Sequence, residues 1–142
     1  MTSTSPPKWY TPAAVTALIW NLLGCAAYLA DVTLSPDDLA AMSEAQQAAY
    51  AARPGWAVAA TAIAVWGGAA GSVGLILRKR WAGPVLVASL LALVVQDLAL
   101  FVLTEAGSLA GPPAMILQGL VFVIGVALVV LSRKAISEGW IE

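Results

Sequence analysis

Four stretches of this chain are almost free of charge, and each is long enough to cross a bilayer. Trp9–Ala30, Pro54–Leu77 and Ala106–Ser132 hold no Asp, Glu, Lys or Arg, and Trp81–Thr104 holds Asp97 alone. At 1.5 Å per residue, about 20 apolar residues in a helix cross roughly 30 Å of hydrocarbon. A soluble domain is excluded on the same ground: 61% of the 142 residues are hydrophobic and 11% are charged, against about 45–50% and 25% in soluble chains. That apolar content also excludes disorder. The expected fold is an all-α membrane protein, an antiparallel bundle of four transmembrane helices forming a single domain over residues 1–142. The expected spans are about 11–30, 55–77, 83–104 and 113–132, with an outer loop at 31–53 and a tail at 133–142. Pro12, Pro84, Pro112 and Pro113 stand where a first helical turn accepts proline.

Basic residues orient the spans. Lys8, Arg78, Lys79, Arg80, Arg133 and Lys134 fall on one side and Arg53 alone on the other. The positive-inside rule then puts both termini and the Arg78–Trp81 turn in the cytoplasm. Trp9, Trp56, Trp81 and Trp140 are expected as interface anchors, with the tail Ala135–Glu142 lying along the cytoplasmic surface. Leu22-Leu23-Gly24-Cys25 has the look of a lipoprotein cleavage site. The run stays apolar past Cys25 and Asn21 interrupts it, so the first span is expected to be kept.

The outer loop has local signals of its own. Ser35 before Pro36, Asp37 and Asp38, and Ser43 three residues before Gln46, are N-cap and capping-box patterns. They predict one or two short amphipathic helices, with Leu34, Leu39, Met42, Ala49 and Tyr50 as an intermittent apolar face. The acids Asp31, Asp37, Asp38 and Glu44 against Arg53 suit either a solvated acidic loop or a cation-attracting mouth.

Chemistry is restricted. The chain has no histidine, one cysteine and a net charge of −1, which leaves no expected catalytic residue, metal site, cofactor or nucleic-acid partner. The expected partners are the lipid bilayer and a further copy or a larger membrane complex. Each span carries small or polar residues at helical spacing: Ala14, Ala17, Asn21, Gly24 and Tyr28; Ala57, Ala60, Ala64, Gly67, Gly71 and Gly74; Ser89, Ala92, Gln96 and Ala99; Ala114, Gln118, Gly125 and Ser132. Small faces let helix backbones approach closely in lipid, so Gly24, Gly67, Gly71, Gly74 and Gly125 are expected to pack helices. Asn21, Gln96 and Gln118 read as interhelical glue or as substrate contacts. Trp20 and Trp66, near mid-membrane, read as packing.

Asp97 needs a reason, since an ionised carboxylate at helix centre costs about 2.5–3.5 kcal/mol on insertion scales. Depth counting groups it with Tyr28, Arg53, Gln96 and Gln118 near the outer boundary. It is then either a proton or cation site or a structural group, protonated or paired with Arg53. Adjacent residues on a helix point about 100° apart, so Gln96 and Asp97 cannot both face one pocket squarely.

Several phrases carry a family likeness: Trp20-Asn21-Leu22-Leu23-Gly24 with Tyr28, Arg53-Pro54-Gly55-Trp56, Arg78-Lys79-Arg80-Trp81-Ala82 with Pro84, Ser89-Leu90 and Gln96, and Val123-Ile124-Gly125 with Gly139-Trp140-Ile141. Together they resemble a family of small, poorly characterised bacterial four-helix membrane proteins, over nearly the whole chain. Some members are labelled "sugar transporter". The resemblance implies a bacterial inner membrane and a four-span fold, with sugar as one solute to consider. Asp97 stands where the family pattern suggests a polar or aromatic residue. Two readings follow: a non-catalytic accessory, assembly or self-associating subunit presenting the Gly67–Gly71 face, or a small-solute or proton/cation-linked transporter, working as an oligomer, with Asp97 as its intramembrane acid.

Overall fold

The computed structural model describes residues 4–142; the first three residues of the expected domain lie outside them. Among the described residues the chain is built of helices and turns, with no strand. In order these are α1 (Tyr10–Val32), α2 (Pro36–Ala40), α3 (Glu44–Ala52), α4 (Gly55–Ile76), α5 (Ala82–Leu98), a π-helical turn (Ala99–Leu103), α6 (Ala106–Ala110) and α7 (Pro112–Ser137). Helices α1, α4, α5 with its π turn, and α7 are long and apolar enough to cross a membrane. Their outward apolar side chains, such as Val102 and Ile116 at 69% and 74% exposure, need a hydrocarbon solvent. The chain is a multi-pass membrane protein.

The four long helices pack in sequence: α1 on α4, α4 on α5, α5 on α7, without a comparable contact between α7 and α1. Small residues on α4 make this chain of contacts close. A Cβ at Gly71 would stand 2.5 Å from Leu86, one at Gly67 would stand 3.2 Å from Ser89, and one at Gly74 would meet Ala82 and Trp81. All three glycines therefore seat α5. Gly68, on the neighbouring face, leaves room for the Asn21 amide of α1. Polar bonds cross the same seams: Asn21 Nδ2 donates to Ser72 Oγ (3.3 Å), and Ser89 Oγ donates to the Ala64 carbonyl (2.6 Å). The expected Gly67–Gly71 surface for a partner is thus corrected. The pair is consumed within the chain, because a stripe wide enough for one neighbour is already covered by α5.

The end bearing Arg78–Arg80, called here the basic end, is closed by a core of Tyr10, Ala14, Leu75, Ala82, Leu86, Leu128, Ala135, Trp140 and Ile141. The buried Tyr10 hydroxyl donates to the Leu75 carbonyl at 2.7 Å. Gly139, at φ 73°, takes the left-handed turn that ends α7 and sends the chain back, with Trp140 N–H bonding the Ala135 carbonyl. Arg80 N–H then donates to Glu142 O and Glu142 N–H to Arg78 O, at 2.7 and 3.0 Å. The tail expected to lie on the membrane surface instead folds back against protein. Trp140, 8% exposed, meets Trp9 and Tyr10 edge-on rather than anchoring in the interface. Trp9, Trp56 and Trp81 remain about half exposed.

The other end, called the loop end, carries α2, α3 and α6. Ser35 and Ser43 each accept from the backbone N–H three residues on, and Asp38 and Gln46 each accept from the serine N–H in return. The Ser35 N–H and hydroxyl hold the Asp38 carboxyl below its usual range. Helix α3 packs on α6, a helix absent from the sequence reading, and Gly111 at φ 91° turns the chain into the Pro112 start of α7.

Candidate functional site: a cavity between the four spans

A cavity of about 380 Å³ lies between the four long helices, at the low end of the ~300–1,000 Å³ typical of small-molecule sites. Helix α1 contributes Trp20, Asn21, Leu23, Gly24, Ala27, Tyr28 and Asp31; Leu117, Gln118, Val121, Ile124, Gly125 and Leu128 of α7 face it. Thr61, Val65 and Gly68 of α4 and Leu86, Ser89, Leu93 and Gln96 of α5 form the back wall. Of all the lining residues only Leu23, Ala27 and Leu117 are exposed, and they stand on α1 and α7. The open flank therefore lies between those two helices, where packing is missing.

The lining is polar at one end. Toward the basic end it is Leu86, Ile124 and Leu128; toward the loop end come Tyr28, Asp31, Arg53, Gln96 and Gln118. Arg53 leaves the C-terminus of α3 and its Nη1 donates to Asp31 Oδ2 at 2.8 Å, with the guanidinium stacked 4.6 Å from the Tyr50 ring centroid. Both side chains are partly covered, at 23% and 33% exposure. The Arg53 Nε is buried with no hydrogen-bond partner among the described residues. Leaving a buried donor unmade costs about 1–3 kcal/mol, so this atom needs an explanation. Across the cavity, buried Gln96 donates through Nε2 to Gln118 Oε1 at 3.0 Å.

A second cavity, of about 320 Å³, lies under α3 between Met42, Gln46, Ala49, Tyr50, Leu100, Phe101, Ala106 and Ala114. Asp31, Arg53 and Gln118 line both cavities. The ion pair is the partition between them.

Of the residues grouped from sequence, Asn21, Tyr28, Arg53, Gln96 and Gln118 meet on the first cavity, and Asp97 does not line it. Its pairing with Arg53 is corrected, since Arg53 is held by Asp31. Asp97 is half-buried and its carboxylate accepts from Gln96 Nε2 at 3.4 Å. The 100° step from Gln96 is what turns it away. Asp31, which the sequence places only among the charges of the outer loop, joins the cavity through its pair with Arg53; the two bound the loop from opposite ends with opposite charges. Gly24 and Gly125 line the cavity; a Cβ on Gly24 would make ordinary contact with Val65 at 3.5 Å and one on Gly125 would press Leu90 at 3.3 Å. Among the described residues no group of His, Cys, Asp and Glu could hold a metal ion. No protein-family model, curated protein or solved structure matches the chain.

Proposed function

We propose that this is a non-catalytic membrane protein that binds a small amphipathic molecule taken from the plane of the bilayer. The cavity carries the reading: residues of all four spans line it, one end is polar, and its open flank faces lipid between α1 and α7. The consumption of Gly67 and Gly71 by α5 favours this over an accessory subunit docking through that face. An accessory or self-associating role retains one support, the open flank, which a neighbouring transmembrane helix also fits. Antiparallel packing of α1 and α4 is supported by contacts that run in opposite order, Tyr10 with Leu75, Asn21 with Ser72, and Cys25 with Val65. The basic end, with six of seven Lys and Arg, faces the cytoplasm by the positive-inside rule, and the family resemblance supports a bacterial inner membrane.

The test is native mass spectrometry of the full chain released gently from its own membrane. A retained non-protein mass that disappears in Ala27→Trp, which fills the rim, is the expected result. A protein partner or second copy in its place would transfer the reading to the accessory role.

A second reading, proton- or cation-linked transport of a solute such as a sugar, rests on the amide of Gln96, which bridges Asp97 to Gln118 at the cavity wall. Here Asp97→Asn in proteoliposomes is expected to abolish solute or proton flux and leave assembly intact. Unchanged flux would end it.

A further inference from the structure

Building on the amphipathic-ligand reading, we propose that the occupant is a single-chain phospholipid with a zwitterionic phosphate–ammonium head, its head held by the Asp31–Arg53 pair. Depth fits such a lipid. Asp31 is one residue from the end of α1, and Arg53 stands two before the start of α4, so the pair sits where the spans meet the headgroup layer. From Asp31 to Trp20 the cavity follows α1 for eleven residues, about 16 Å, or roughly half of a 30 Å hydrocarbon core. That is the depth of one leaflet's chain. A volume of about 380 Å³ suits one chain better than two.

The pair's chemistry selects the head. Arg53 uses Nη1 on Asp31 Oδ2, and its Nε has no partner. The Nε–Nη2 edge of a guanidinium is a fork that takes a phosphate through two parallel bonds; the Nε is covered as the chain stands, so the head engages it by displacing what covers that edge. The other carboxylate oxygen, Oδ1, makes no hydrogen bond among the described residues and can accept from an ammonium. Because Asp31 already neutralises Arg53, a head bringing one charge of each sign keeps the site balanced, whereas a bare anion or cation leaves an uncompensated charge. The Gln118 and Tyr28 side chains line the same mouth and offer hydrogen bonds to the glycerol hydroxyl.

The probes are three lipids of equal chain length: a lysophosphatidylethanolamine, a free fatty acid and a monoacylglycerol. Each is titrated onto the full chain in nanodiscs of diacyl phosphatidylcholine and read by native mass spectrometry. The lysophospholipid is expected to bind at least tenfold tighter than the other two. Arg53→Lys keeps the charge but removes the fork, and is expected to erase that preference, with the helical circular dichroism spectrum checking that the fold is kept. Soluble phosphoethanolamine is expected not to compete at the concentration where the lipid saturates; equal competition would overturn a lipid occupant in favour of the free head. Equal binding of all three probes, or a preference that survives Arg53→Lys, overturns the head assignment and leaves the cavity reading standing. Binding that survives Ala27→Trp defeats the cavity reading itself.

Discussion

Gly71 shows how much a single hydrogen atom decides here. A Cβ at that position would stand 2.5 Å from both Cγ and Cδ2 of Leu86, so Gly71→Val is expected to destabilise the bundle by about 1–3 kcal/mol through overpacking. Gly119, with nothing within 4 Å of a built Cβ, is the control: Gly119→Ala is expected to be stability-neutral or slightly better. Denaturation in mixed micelles, followed by circular dichroism, measures both. Sequence spacing made Gly71 visible as a packing residue, because small residues at helical intervals reveal a face. It could not reveal whether that face meets another helix of the same chain or a separate protein. Asp97 and Asp31 divide the same way. A lone acid in an apolar run stands out, while the Asp31–Arg53 pair depends on how a loop of more than twenty residues closes, which no local pattern encodes.

Among elements, the long helices were legible because exclusion of charge is a property of the run itself. The π-helical turn was not: Ala99–Leu103 follows α5 with no glycine or proline to announce it, and Thr104 Oγ1 caps the Ala99 carbonyl at 2.6 Å. Nor was α6, whose N-cap Glu105 makes no side-chain cap bond and which packs on α3, α7 and the π turn. The caps of the loop give two expectations. Ser43→Ala is expected to cost α3 about 1 kcal/mol, read as faster amide exchange over Glu44–Tyr50 with the spans unaffected. The Asp38 carboxyl is lowered in the folded chain, so its contribution is fully present above the unfolded value of about 3.9. It is lost as pH falls through the lower folded value. Exchange protection in α2 is expected to be flat from neutral pH to about 5 and to decline below about 4.

At the scale of the whole molecule the two ends are built unlike each other. The basic end is a packed core in which Trp140 joins α1 to the turn between α4 and α5, with Arg78 Nε donating to its carbonyl at 2.9 Å. Trp140→Ala is expected to destabilise the protein by about 3 kcal/mol, seen as a lower unfolding temperature in detergent, with the proposed binding at the loop end retained below that temperature. The loop end carries the cavities and the ion pair. The open flank between α1 and α7 means that this protein's fourth wall is its solvent. Whatever surrounds it after extraction, an alkyl maltoside tail or an amphipol side chain, can enter where the proposed amphipathic ligand would sit and compete with it. Apparent affinities measured in different surfactants are therefore expected to rank by the tail's ability to slip between Leu23 and Leu117.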